Sequence, residues 1–186
     1  MAQSEKQPIR EQEIDSSRLF NIRVWEGIQY KFSKDLGIAI KLISEDGKIN
    51  TEETNFSDFY ALLTSTDIGR DYCNIDIDKI DKNSKFVKLY ADCEYYVATT
   101  YFYGKKFFIF VGIRERKNNE ALVKKISEEL SIDYEELLKA YYEQPSFPDS
   151  RLISFADLIV DLFNIVIELS VQEFITQMAN KQKEEE

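Results

Sequence analysis

The sequence predicts an α+β domain: an antiparallel sheet, flanking helices and a long C-terminal helix. Three observations carry that prediction. Helical periodicity occupies both ends of the chain, and a two-residue alternation occupies its middle. Between them, CEYYVATTYFYGKKFFIFVGI (residues 93–113) reads as a hairpin of two long strands. Helices and strands segregated in this way favour α+β over a doubly wound parallel sheet.

The chain divides into a polar, flexible leader (1–14), a globular unit (15–148), and a C-terminal helix with an acidic tail (149–186). From Asp15, the apolar residues Leu19, Ile22, Trp25, Ile28, Phe32 and Leu36 recur every three to four positions, as on an amphipathic helix. Ser16 and Ser17 are candidate caps, and Gly37 suits the left-handed position that ends a helix. IAIKLI (38–43) reads as a strand and EDGK as the turn after it. NFSDFYALLTS suits a short helix, GRDYCNIDIDKI a second helical segment, and KFVKLYA a strand.

In the hairpin, turning at Tyr103-Gly104-Lys105-Lys106, alternation puts Tyr95, Val97, Thr99, Tyr101 and Tyr103 on one face. On the return strand Phe107, Ile109, Val111 and Ile113 share a face opposite Phe108, Phe110 and Gly112. Both faces are apolar, so both are expected to be covered, one by helices and the other by a second protomer or a loop closing over a pocket.

After RERKNN the period lengthens to that of a helix through Leu122, Val123, Ile126 and Leu130. Asp133 and Glu136 then form a capping-box pattern before another helix, which Pro145 and Pro148 end. The last helix carries Phe155, Leu158, Ile159, Leu162, Phe163, Val166, Leu169, Phe174 and Met178. Phe163, Ile165, Ile167, Val171 and Ile175 widen its apolar surface beyond one stripe, which predicts a homodimer through this helix.

Composition excludes several functions. The 186 residues carry a net charge of −10, and the basic runs are no longer than Lys105-Lys106 and Lys124-Lys125, so direct nucleic-acid binding is not expected. The chain has no histidine, which removes the usual neutral-pH base and histidine-based nucleophile pairs. Asp157, Asp161, Asn164 and Glu168 interrupt the most apolar run, so no membrane span is expected. With no signal-peptide pattern and only two cysteines, Cys73 and Cys93, free thiols in a reducing cytoplasm are the expectation. Asp76, Asp78 and Asp81 alternate like calcium ligands but lack the glycine and terminal glutamate of such a loop. No cofactor is implied, and no carboxylate pair or phosphate loop suggests an enzyme.

Eight aromatic rings lie within residues 93–113, with Thr99 and Thr100 among them. Rings with a few orienting hydroxyls compose many small-molecule sites. Alternation nominates Thr99, Tyr101, Phe108 and Phe110 as lining residues. A core filled by its own aromatics is the competing reading.

Residues from about Arg18 to Ala179 resemble the PocR-type sensory domain. The resemblance is carried by LFNIRVWEGIQYKFSKDLGIAIKLISEDGKINTEETNFSDFYALL, by GRDYCNIDID, by the Cys93-led hairpin with Gly104 and Gly112, and by SEELSIDYEELLKAYYEQPSFPDSRLISFADLI. It implies a PAS-like sensor that binds a small organic molecule, is not an enzyme, and passes a signal to an output module in transcriptional or two-component signalling. It adds Tyr60, Cys73 and Cys93 to the candidate lining. Tyr60 stands where the family pattern has a cysteine, and EYYV replaces the Gly-Leu expected after Cys93, so the pocket is expected to be reshaped.

Overall fold

The structure, a computed structural model, describes residues 20–77, 80 and 85–184. The leader, Ser16, Ser17, Asp78 and Asp81 lie outside the described residues. The first helix, α1 (Ile22–Leu36), is capped by Asn21, whose side chain accepts from the Val24 amide, and it ends at Gly37 in the left-handed conformation. The cap therefore lies beyond the two serines nominated from sequence, because Asn21 is the residue whose side-chain oxygen reaches the first free amides.

Strand β1 (Ile40–Ser44) follows, then the short helices α2 (Asp58–Thr64) and α3 (Asp67–Cys73). Strands β2 (Phe86–Tyr90), β3 (Cys93–Phe102) and β4 (Lys105–Ile113) complete an antiparallel sheet of order β1-β4-β3-β2. Isolated bridges Ile40–Thr54 and Ile43–Asn50 lay the 50–54 segment along the free edge of β1. Helices α4 (Glu120–Leu130), α5 (Tyr134–Glu143) and α6 (Asp149–Glu184) follow. The α5 cap is as the sequence predicts, with Asp133 accepting from the Glu136 amide at 2.9 Å.

The chain covers both sheet faces itself. On one face α1 and α6 bury Trp25, Leu152, Ile159 and Phe163 against Ile40, Leu42, Phe107, Ile109 and Val111. On the other, α2 to α5 bury Phe59, Leu63, Val123, Leu137 and Tyr141 against Ile43, Tyr95, Val97, Phe108 and Phe110. The second cover is therefore helical, rather than the protomer or loop the sequence left open.

One residue changes face. Gly112 adopts φ +60°, the register slips between Tyr95 and Tyr96, and Ile113 lands opposite Tyr95 among the α2–α5 contacts. Strict alternation put Ile113 with Phe107 and Ile109, and the bulge overrides it. A Cβ at Gly112 would also stand 2.7 Å from Leu152 Cδ2.

Candidate functional site

In β1, the sheet face under α2–α5 carries a charged side chain among apolar neighbours. Lys41 projects from β1 between Ala39 and Ile43, opposite Phe110, and is 8% exposed. Burying an ammonium group requires a partner, and Glu53, from the segment bridged to β1, supplies it as an ion pair. Burial pushes the Glu53 carboxyl up, but the hydrogen bond and charge of Lys41 outweigh it and the net shift is downward. Tyr60 lies beside the same carboxylate, and its own pKa is raised by burial and then by the Glu53 charge.

These groups line a cleft of about 740 Å3 between β1, the 50–53 segment, α2 and α3. Ser57 and Thr66 cap the two short helices, each accepting a backbone amide from the following turn. Gly69 allows their close approach, because a Cβ there would stand 1.9 Å from the Leu63 carbonyl oxygen. From α3, Arg70 and Cys73 reach the cleft, with Arg70 ion-paired to Asp67. The lining therefore offers cations, carboxylates and a phenol hydroxyl within one concave surface.

The seven residues nominated from sequence separate into three groups. Tyr60 and Cys73 line the cleft. Cys93, Phe108 and Phe110 are buried in the same apolar cluster beneath it, Phe108 and Phe110 directly across from Ile43 and Lys41. Thr99 and Tyr101 share their face but extend past the helical cover toward the hairpin tip, where Tyr101 is 65% exposed. Lys41, Glu53 and Arg70 escaped the sequence reading. The available signal was Lys41, a lone charge inside IAIKLI.

Both cysteines are free and buried. Burial pushes the Cys73 thiol up to about 12 and the Cys93 thiol up to about 11, the latter against the lowering influence of Arg116 and of Gln144. Gln144 is the polar hub behind Cys93. Its Oε1 accepts from Cys93 Sγ at 3.2 Å and Arg116 Nη2 at 2.7 Å, and its Nε2 donates to Ser57 Oγ at 2.8 Å. Above it the rings of Phe56, Phe59, Tyr60, Tyr90 and Tyr95 pack with centroids 4.7–6.3 Å apart, and the Tyr90 and Tyr95 hydroxyls hydrogen-bond at 2.7 Å.

Among the described residues, no group of His, Cys, Asp or Glu side chains is arranged to hold a metal ion, and no helix is long and apolar enough to cross a membrane. No curated protein and no solved structure matches the chain. The family model described as the sensory domain found in PocR matches residues 18–171, a span that contains every strand of the sheet and every lining residue of the cleft. The chain belongs to the family of PocR sensory domains.

Proposed function

We propose that this domain is a non-enzymatic sensor that binds a small organic molecule in the cleft over Tyr60 and Cys73. In this reading the signal passes through α6 to a partner or output module, in a homodimer formed through that helix. The observation that carries the reading is the part-buried Lys41–Glu53 pair at the cleft wall, with Tyr60 beside it. A ligand that competes for any of the three changes the energy of a desolvated polar group, where such changes are large. Mixed donors and acceptors suit a hydroxylated molecule or a short organic acid more than a plain hydrocarbon.

A contact route supports the relay. Gln29 on α1 donates to the Glu52 carbonyl and to Thr54 Oγ1, the two neighbours of Glu53, and accepts from Trp25 Nε1. Trp25 in turn packs edge-on against Phe163 of α6, with centroids 5.3 Å apart. Movement of the Glu53 segment is thus two side chains away from the output helix.

The aromatic packing around Tyr90 and Tyr95 favours a second reading, an interaction or dimerisation module whose interior its own rings fill. A thermal-shift screen of diols, short organic acids and aromatic metabolites separates the two. A ligand of the folded state at a hundred times its Kd adds about 2.7 kcal/mol, and that gain is expected to disappear in Lys41→Met. If no compound raises the melting temperature, and Tyr60→Ala only lowers it as a cavity would, the filled module stands instead.

A further inference from the structure

A second concave site lies on the far side of α3. Arg70 and Cys73 of that helix face the cleft, whereas Tyr72 faces a groove of about 260 Å3 between α4 and the turn joining β2 to β3. We propose that this groove binds a free α-amino acid with an apolar side chain.

The floor is apolar, made by Leu63, Tyr90, Leu122, Ile126 and Leu130. An apolar cavity of about 150 Å3 is enough to hold benzene, so this groove has room for a ring or a branched aliphatic side chain with a small head group beside it. The rim carries Lys88, Lys125, Asp92 and Glu129, two charges of each sign. A simple anion or cation meets as much repulsion as attraction there, whereas a zwitterion meets a partner for each end. Lys88 is already ion-paired with Asp92. Lys125 and Glu129 are one turn apart on α4, on one face of the helix. The carboxylate and ammonium of an α-amino acid sit on one carbon, within reach of a flexible lysine and a flexible glutamate one turn apart. Glu129 Oε1 accepts from the Tyr72 hydroxyl at 2.9 Å across the groove, which fixes the glutamate and leaves its second oxygen for the ligand ammonium.

Two-dimensional amide NMR of the full chain tests the assignment, with L-phenylalanine and L-leucine as probes and phenylacetate, phenethylamine and benzyl alcohol as controls. The amino acids are expected to shift the amides of Ala91, Leu122 and Ile126. Each singly charged control should bind about two- to five-fold more weakly, the worth of one exposed charge pair. Lys125→Gln and Glu129→Gln, both at exposed positions, should weaken L-phenylalanine by the same factor, and Ile126→Trp, which fills the floor, should abolish its shifts. Three results would overturn the proposal: no shifts at millimolar amino acid, shifts confined to the Tyr60–Cys73 cleft, or controls that bind as tightly as the zwitterions.

Discussion

The Cys73 thiol lies in apolar surroundings that disfavour its thiolate. Its pKa is raised from an ordinary 9.0 to about 12 by burial, and Cys93 and the hydroxyls of Tyr90 and Tyr95 move in the same direction for the same reason. The sign of the linkage follows. Below the unfolded value all these groups are protonated in both states, so stability does not depend on them. As pH rises from there toward the folded values, the unfolded chain loses protons first and stability falls. Urea midpoints are therefore expected to be flat near neutrality and to decline above about pH 9, and a midpoint level through that interval would contradict the burial. Gly112 poses the backbone counterpart. An alanine there combines a positive φ with a Cβ 2.7 Å from Leu152, and Gly112→Ala should cost about 1–3 kcal/mol in urea unfolding.

Among the elements, the 50–54 segment is braced between β1 and a single side chain of α1. Isolated bridges at Ile40–Thr54 and Ile43–Asn50 and the Thr51 amide on the Leu42 carbonyl tie it to β1, and Gln29 holds it through the Glu52 carbonyl, Thr54 Oγ1 and Thr51 Oγ1. Gln29 is 1% exposed and also donates to the Ile40 carbonyl. Replacing it by leucine keeps the volume but strands buried groups, each at about 1–3 kcal/mol. Gln29→Leu is thus expected to lower stability by about 2 kcal/mol or more and to loosen the Glu53 side of the cleft first. Amide hydrogen exchange checks the second part: residues 50–54 should lose protection ahead of β3 and β4.

On the scale of the whole molecule, α6 has two apolar sides. Leu152, Ala156, Ile159, Phe163, Val166 and Ile167 are buried against the sheet and α1. Leu158, Leu162, Ile165 and Leu169, of which Leu162 is half-buried against the same core, follow at intervals of four, three and four residues, a coiled-coil seam pattern. Ile165 is 51% exposed and Leu169 59% exposed. Of the residues that suggested a dimer from sequence, Phe163 and Ile167 serve the chain's own core and Val171 packs against it, while Ile165 and Ile175 remain exposed. Light scattering of the wild type is expected to give the mass of a dimer, and Ile165→Glu with Leu169→Glu to give that of a monomer with an unchanged circular dichroism spectrum. A monomeric wild type would count against the seam.

The order of elements is legible in the chain because periodicity, capping residues and turn glycines act locally. The Cys93–Ile113 hairpin, the Asp133 cap and the Gly37 stop each depend on a few adjacent residues. The family could also be read from the chain, since the order and spacing of GRDYCNIDID, the hairpin and the helical tail survive without coordinates. Which side chains meet is a matter of packing between distant segments. Alternation placed Thr99 and Tyr101 on the same face as Val97, but the helices of α2 to α5 end short of them. It could not show that Lys41, an isolated charge in an apolar strand, is paired with Glu53 beside Tyr60 at a cleft. Strand parity is a property of neighbours along the chain, whereas cover and pairing depend on helices that pack from distant positions. For that reason the sheet could be written from the sequence and the cleft could not.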